Sequence, residues 1–243
     1  MRRAAMDRRE MLKALMSLST VPLLGSVGCG TAADACVTIP EETAGPYPGD
    51  GSNGKNALTA SGVVRSDIRG SFGSATGNAE GVPLRIQLQL VNSSAMCAPL
   101  AGLAIYLWHC DRDGEYSLYT VADENYLRGV QETDADGNVT FTSIFPGCYS
   151  GRWPHIHFEV YRNLADTSSY RNKIATSQLA LPESACLEAY SADGYDSSAR
   201  NLGMTTRATD NVFAGDAGSQ QLATVSGSKT DGFVASLVVP VEA

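Results

Sequence analysis

The chain has 243 residues, of which 43% are hydrophobic, 18% charged and 7% aromatic, with a formal net charge of −8 at pH 7. These proportions are typical of a globular protein that buries a core, and they do not favour a disordered chain. Residues 1–28 hold five basic and two acidic side chains, so the remainder has 13 basic against 24 acidic groups, a net charge of about −11. A protein with this negative charge binds nucleic acid and anionic membranes poorly, and small neutral or weakly charged ligands suit it better.

The first 35 residues have the pattern of an export signal followed by a tether. Adjacent Arg8 and Arg9 precede an uncharged, mostly apolar run over residues 14–28, which is too short for a comfortable membrane span. The paired arginines resemble a twin-arginine signal, which predicts a periplasmic, extracellular or lipid-anchored protein. A lipid on Cys29 is left open, as is the alternative of a disordered basic tail.

Six cysteines stand at positions 29, 36, 97, 110, 148 and 186. Export to an oxidising compartment allows disulfides, but their connectivity cannot be read from the spacing. No two cysteines form a Cys-x-x-Cys pair, which argues against a zinc ribbon and against a thioredoxin-like redox site.

Taken in chain order, the first predicted element is an extended arm with turns over residues 38–49, which are rich in Pro and Gly. Residues 50–80 are rich in Gly, Ser and Asn, with Val64–Ile68 as the one segment that resembles regular structure. Alternating apolar and polar residues over 84–90 predict a strand with one buried face. The continuous apolar run over 103–108 predicts an interior strand.

The second half of the chain continues this strand and turn pattern. Residues 128–141 contain two strand-like runs around an Asp-Gly turn, which predicts a β-hairpin. The remaining predicted elements are a strand at 155–161, strands at 174–181 and 233–241 and, within a long segment 186–228 that gives few signals, helical turns at 186–192 and 220–224. We therefore expect an all-β protein, a β-sandwich formed by a single domain over residues 36–243 with an extended N-terminal arm.

Several motif classes are excluded. Asp-x-Asp-Gly sequences at Asp111 and Asp134 superficially resemble calcium loops, but the twelfth position of each is Ala122 or Phe145 where a carboxylate is needed. Both are therefore interpreted as turns. The chain has no Gly-x-Ser-x-Gly, Gly-rich phosphate loop or His-Glu-x-x-His sequence, so hydrolases and nucleotide enzymes lose most of their support.

The candidate site centres on His155 and His157, whose spacing sends both imidazoles to one face of a strand. Alone, this pair is equally compatible with a metal site and with an ordinary polar strand. Tyr149 follows a Pro-Gly turn and Tyr116 follows an Asp-Gly turn, so turns present both phenols. Two phenolates with two imidazoles form an oxygen-rich, anionic ligand set, which favours Fe(III).

Four segments carry a family resemblance: Gly-Glu-Tyr116, Arg128-Gly-Val-Gln-Glu-Thr-Asp134, Phe141-Thr-Ser-Ile-Phe-Pro-Gly-Cys-Tyr149 and Gly-Arg152-Trp-Pro-His155-Ile-His157-Phe. Together they resemble the intradiol ring-cleavage dioxygenases, the family of catechol 1,2-dioxygenase and protocatechuate 3,4-dioxygenase. Thr43-Ala-Gly-Pro-Tyr47 and Val64-Arg-Ser-Asp-Ile-Arg69 are similar to the N-terminal segment of that family. The resemblance covers about residues 36–180, and its ordered set of Tyr, Tyr, Arg and two His is specific.

The resemblance implies a non-haem Fe(III) bound by Tyr116, Tyr149, His155 and His157, with a solvent hydroxide completing the shell. It implies intradiol cleavage of a catechol-type aromatic by O2 to a muconate-type diacid. In such enzymes the tyrosine at the position of Tyr149 leaves the metal and accepts a substrate proton. Arg152 would stabilise the negative charge that develops as the ring opens.

Residues around this core have further expected roles. We expect the substrate-binding wall to include Thr43, Gly45, Pro46, Tyr47 and Gln131. His109 lies off the motif and is interpreted as a structural histidine, and Cys148 is expected to pack or to pair with another cysteine. The expected partners are a small aromatic diol and O2, with no nucleic acid, a membrane only through a lipid on Cys29, and an oligomeric state left open.

One departure from the family leaves the substrate open. Only five residues separate Tyr149 from His155, whereas the well-known cytoplasmic members have a longer loop there, so a more open pocket is expected. The main alternative is an exported β-sandwich protein that binds catecholate compounds or a surface partner without turnover. A zinc hydrolase is disfavoured, because phenolates are rare zinc ligands and no general-base glutamate motif accompanies the histidines.

Overall fold

A computed structural model describes residues 36–243, so the predicted export signal and Cys29 lie outside the described residues. The strands are β1 (Pro83–Asn92), β2 (Ala98–Pro99), β3 (Ala104–Trp108), β4 (Arg128–Glu132), β5 (Asn138–Ile144), β6 (His155–Tyr161), β7 (Lys173–Ala180), β8 (Thr224–Ser228) and β9 (Gly232–Val241). Two helices, α1 (Glu183–Ala189) and α2 (Asp196–Leu202), lie between β7 and β8. Short 3-10 turns occur at Leu164–Ser168, Tyr170–Asn172 and Phe213–Gly215.

The strands form two sheets that pack against each other. One sheet has the order β2, β1, β9, β8, with β5 also paired to β1, and the other has the order β4, β3, β6, β7. β1 and β9 run parallel, whereas the other strand pairs are antiparallel. The predicted all-β sandwich is confirmed.

The core between the sheets follows from the alternation of apolar residues. In β1 the buried side chains of Leu84, Ile86 and Leu88 face β6, which contributes Ile156 and Phe158 to the same cluster. Each such side chain stabilises the fold by about 1.5–3 kcal/mol on burial. The register of β1 is therefore fixed, because a slip of one residue would expose this whole set.

The outer face of the four-stranded sheet is buried as well. Tyr106 and Trp108 of β3 point away from the central core and form a second cluster with Tyr116. His157 pairs in register with Trp108, so its side chain shares this outer face. The prediction that β3 is interior is confirmed. Both of its faces are covered, one by the core between the sheets and the other by the second cluster and the candidate site.

The predicted hairpin over residues 128–141 is wrong. β4 pairs with β3, whereas β5 pairs with β1 in the other sheet. The turn between them is as expected, since Asp134 Oδ1 accepts hydrogen bonds from the backbone N–H groups of Asp136 (2.9 Å) and Asn138 (2.8 Å). Turn residues specify a chain reversal, but the face that each strand must bury decides its partner.

The segment between β7 and β8 also differs from expectation. The helical turn expected at 186–192 overlaps α1 only over residues 186–189. Residues 220–224 are not helical, since Leu222 forms a bridge with Ala180 and β8 begins at Thr224. Neither α2 nor β8 was predicted. α2 has only seven residues and few apolar ones, and it is held because Tyr195 and Leu202 pack into the central core.

The arm over residues 38–49 is extended, as predicted, and runs along β7. Glu42 N donates to Thr176 O at 2.8 Å, and Gln178 Nε2 donates to Thr43 O at 2.8 Å. Before the arm, Cys36 forms a disulfide with Cys97. None of the helices in residues 36–243 is long and apolar enough to cross a membrane.

Candidate metal centre

The two histidines of β6 are fixed by different contacts. His155 Nδ1 donates to Trp153 O at 2.5 Å, so the lone pair of this ring lies on Nε2. The ring of His157 stacks on Trp108 with a centroid distance of 4.9 Å and an interplanar angle of 4°. As the strand period requires, both rings lie on one face, with the two Nε2 atoms 3.1 Å apart.

Two glycines allow the phenol-bearing turns to pack closely. A Cβ on Gly147 would lie 2.6 Å from Arg112 O, which belongs to the turn before Tyr116. Gly114 has φ +86°, and a Cβ there would lie 3.0 Å from Tyr149 Cβ. Gly147 is required for the close approach of the two turns, and Gly114 is required for its left-handed backbone as well. The packed turns place Tyr116 Oη 3.4 Å from Tyr149 Oη.

Four donor atoms converge at the outer face of the sheet. Tyr116 Oη lies 3.3 Å from His157 Nε2, and Tyr149 Oη lies 3.2 Å from His155 Nε2, which closes a ring with the two contacts above. A metal ion bound at about 2.0–2.1 Å separates neighbouring ligand atoms by about 2.9–3.4 Å. The observed spacings of 3.1–3.4 Å therefore suit a metal ion held by all four side chains.

Burial sets the protonation of these groups. It lowers the pKa of His155 to about 3, with the nearby positive charge of Arg152 adding to the effect, and it lowers the pKa of His157 well below its usual range. Both imidazoles are therefore neutral at pH 7, the form that binds cations. Burial raises the pKa of Tyr149 to about 12, and it also raises the pKa of Tyr116 well above its usual range. Phenolates at these positions need a nearby cation, and this donor set suits a hard, highly charged one.

Apart from this set, residues 36–243 contain no group of three or more His, Cys, Asp and Glu side chains suited to a metal ion. His109 lies away from the cluster, with Nδ1 2.7 Å from Cys110 O and Nε2 2.7 Å from Ser143 Oγ. Both of its ring nitrogens have protein partners, as expected for a structural histidine. Cys148 is buried and free, so it packs without pairing.

Arg152 lies beside the ligand cluster. Its Nη1 is 3.3 Å from His155 Nε2, its Nη2 donates to Gln178 Oε1 at 2.6 Å, and its Nε donates to Asp210 Oδ2 at 2.8 Å. The guanidinium also lies over the ring of Phe213, 5.9 Å from its centroid. The arrangement brings a positive charge next to the converging donor atoms.

The arm supplies one wall of the site. The ring of Tyr47 packs on Tyr116 at 4.9 Å, and a Cβ on Gly45 would lie 3.5 Å from His157 Cε1. Thr43 and Pro46 lie on the same stretch, where Thr43 O accepts from Gln178 Nε2 and Pro46 O accepts from Asn53 Nδ2.

Gln131 is not brought to this wall. Its position in register with Ile105 turns it to the face opposite the ligand cluster, and its Nε2 donates to Thr140 O of the other sheet at 3.3 Å. The sequence placed it by family resemblance, whereas the strand period turns it away.

Sequence reasoning missed three side chains that shape the site. Trp108 was assigned only to an interior strand, although its pairing with His157 stacks the two rings. Gln178 on β7 and Asp210 in the segment before β8 both hold Arg152. Alternation along 174–181 was a signal for Gln178, because it shares a face with Thr176 and lies opposite His157 in the sheet. No local pattern pointed to Asp210.

Comparisons with known proteins show which family model and which folds this chain resembles. A family model described as dioxygenase matches residues 66–172. An intradiol ring-cleavage dioxygenase from Tetranychus urticae has a similar structure, with a TM-score of 0.66, 24% identity, and coverage of 85% of this chain and 95% of that one. A search of curated proteins found no match.

Two bacterial structures share the fold at lower similarity. The dioxygenase domain of a dioxygenase carbohydrate-binding protein fusion from Streptomyces sp. SirexAA-E has a TM-score of 0.54 and 22% identity, covering 85% of this chain and 99% of that one. The 3-chlorocatechol 1,2-dioxygenase from Rhodococcus opacus 1CP has a TM-score of 0.52 and 18% identity, covering 87% and 75%. Residues 66–172, which match the dioxygenase family model, include all four candidate ligands, and the described part of the chain shares its fold with solved intradiol ring-cleavage dioxygenases.

Proposed function

We propose that this protein is an Fe(III)-dependent dioxygenase that cleaves a catechol-type aromatic between its two hydroxyl-bearing carbons. Both oxygen atoms of O2 enter the product, a muconate-type diacid. The observation that carries the proposal is the ring formed by Tyr116 Oη, Tyr149 Oη, His155 Nε2 and His157 Nε2, with neighbouring atoms 3.1–3.4 Å apart.

These four side chains would hold the ion, and two phenolates would offset two of its three charges. A bound ferric ion would supply the Lewis acidity that draws electron density from the aromatic diol and makes its ring carbon reactive towards O2. The protein contributes the fixed donor atoms, the proton acceptor and a positive charge beside the reacting atoms.

Tyr149 is suited to accept a substrate proton. It is partly exposed, whereas Tyr116, His155 and His157 are buried, so it is the ligand candidate that an entering diol meets first. Burial raises the pKa of Tyr149 to about 12, so its phenolate is a base strong enough to take a proton from a catechol hydroxyl at Oη.

Arg152 is suited to stabilise negative charge on the substrate. Two of its nitrogens have acceptors in Asp210 and Gln178, while Nη1 faces the ligand cluster beside His155. A fixed donor in a site with little water stabilises developing charge without reorganising during the reaction. Tyr47 helps to exclude water, because its ring covers Tyr116.

We also propose that the protein acts after export on extracytoplasmic catechols or larger aromatic compounds. The twin-arginine pattern at Arg8 and Arg9 supports this, and the disulfide between Cys36 and Cys97 suits an oxidising compartment. Replacement of both arginines by lysine should leave the precursor in the cytoplasm. Cell fractionation measures this, and unchanged export would refute the twin-arginine route.

Colour and oxygen uptake test the catalytic proposal. Protein expressed with ample iron should show the visible charge-transfer band of tyrosinate on Fe(III), and it should consume one O2 for each catechol cleaved. A colourless protein that contains zinc after iron-replete expression would refute the iron site. A coloured protein that consumes no O2 with a panel of substituted catechols would refute turnover and favour a catecholate-binding role.

A further inference from the structure

Asp210 lies outside the residues matched by the family model, and its side chain is fully buried beside Arg152. Oδ2 accepts hydrogen bonds from Arg152 Nε at 2.8 Å and from Trp153 N at 2.6 Å. Oδ1 accepts from Val212 N at 2.8 Å and from Phe213 N at 3.0 Å. Four donors thus fix the carboxylate, and three of them are backbone groups that hold their positions.

Because the carboxylate of Asp210 is fixed, it also fixes the orientation of the Arg152 guanidinium at the site. The group is planar, and Asp210 and Gln178 hold its Nε and Nη2, so the direction of the third nitrogen is determined. That nitrogen, Nη1, lies 3.3 Å from His155 Nε2, which belongs to the ligand cluster. The orientation of Nη1 towards the cluster therefore depends on the two acceptors behind it.

Asp210 also supplies the counter-charge. The side chain of Arg152 is 12% exposed, and among residues 36–243 Asp210 is the one carboxylate paired with it. Burial by itself raises the pKa of Asp210, but hydrogen bonds from Trp153, Phe213 and Arg152 outweigh burial and lower it, so the group is ionised at pH 7. Without this charge the buried guanidinium would be unpaired, and its flexible side chain would turn towards water.

We propose that Asp210 is a positioning residue, which holds Arg152 so that Nη1 faces the substrate beside His155, and which does not itself touch the substrate. The inference rests on the proposed function for its kinetic test, but the orientation of Arg152 can be measured without turnover. Asp210 lies more than fifty residues from Arg152 in the chain, in a segment to which neither the sequence motifs nor the family match assigns a role.

Kinetics with a cleaved catechol give the first test. Asp210→Asn removes the charge, and Arg152→Lys keeps a positive charge but lacks the Nε donor and leaves the turn at 210–213 intact. Each should lower kcat by about 10–100-fold and change KM by less than about threefold, with iron content and colour retained. The matched control Asp216→Asn removes a carboxylate that caps a nearby turn through Gly218 N and Ser219 Oγ, and it should stay within about twofold of wild type.

Double substitution separates positioning from a general effect on stability. If Asp210 acts through Arg152, Asp210→Asn should lower kcat no further in an Arg152→Ala background. Multiplicative losses, or wild-type kcat in Asp210→Asn or in Arg152→Lys, would overturn the proposal. If Asp210→Asn does not retain iron, the Nε–H exchange test below decides, and it is then made on the metal-free wild type and the metal-free variant.

Arginine Nε–H resonances give a test that needs no turnover. In full-length protein loaded with Ga(III), a diamagnetic trivalent ion, Arg152 should show an Nε–H signal that exchanges slowly with water, and the signal disappears in Arg152→Lys. Asp210→Asn should speed this exchange at least tenfold, whereas Asp216→Asn should not. Equal exchange in wild type and Asp210→Asn would overturn the proposal, whereas an iron-loaded wild type that consumes no O2 would refute only the proposed function.

Discussion

Gly147 offers a direct test of how the two phenols are brought together. In a Gly147→Ala protein the new Cβ would lie 2.6 Å from Arg112 O and 2.8 Å from Asp111 O. Both are backbone atoms that cannot rotate away, and Cβ contacts below 3.0 Å essentially do not occur. The Tyr149 turn must therefore move by about 0.4–0.8 Å to restore an acceptable separation.

A movement of this size exceeds what metal ligands tolerate, because bond lengths at such sites are set to within about 0.2 Å. Tyr149 follows Gly147 by two residues, so its Oη should leave the position 3.2 Å from His155 Nε2. We expect iron affinity to fall about 10–100-fold and kcat by about 100-fold, with a shifted or weaker charge-transfer band. Titration against a ferric chelator, visible spectra and oxygen uptake measure these effects.

Gly215→Ala is the matched control. A Cβ on Gly215 meets no atom within 4 Å, and its backbone is not in the left-handed region, so affinity, colour and kcat should stay within about twofold of wild type. Gly147→Ala should also lose about 1–3 kcal/mol of unfolding free energy in urea. If Gly147→Ala binds iron with wild-type affinity and colour, close packing of the turns does not set the position of Tyr149.

The other predictions concern single groups. Tyr149→Phe and His157→Ala should each reduce catechol-dependent O2 uptake at least 100-fold, and substantial remaining turnover in either would contradict its role as a ligand. Burial lowers the folded-state pKa of His109 to about 4, whereas an unfolded histidine has a pKa of about 6.5, so the unfolded chain binds the extra proton between these values. The contribution of His109 to stability is therefore full above pH 6.5 and should fall by up to about 3 kcal/mol as the pH drops to 4, and His109→Gln should keep iron but remove this part of the pH dependence in urea unfolding. Loss of the Cys36–Cys97 disulfide, which spans 61 residues, should lower the unfolding free energy by up to about 4 kcal/mol and spare the visible band; a bleached band would link it to the site.

Much of the local structure was determined by sequence pattern alone. The alternation over 84–90 predicted β1 because one face of that strand is buried and the other is not. The His155 and His157 spacing predicted a shared face, since side chains alternate along any strand. The Asp-Gly and Pro-Gly pairs predicted turns at Tyr116 and Tyr149 for the same local reason.

Pairing between distant segments could not be predicted in this way. The turn after β4 reverses the chain, but which sheet receives β5 depends on the other strands available to it. The short α2 and β8 have weak local patterns, and contacts with the core and with β9 hold them in place.

The sequence by itself determined the four candidate ligand types and their order, because the chemistry of phenol and imidazole is intrinsic to the residues. Only the tertiary structure decided their spacing, through the close packing allowed by Gly114 and Gly147. It also turned Gln131 away from the site and brought Asp210 to Arg152 across more than fifty residues. Such contacts depend on how the sheets and loops pack together. The sequence around a carboxylate in a loop has no local pattern that predicts which side chain it will contact.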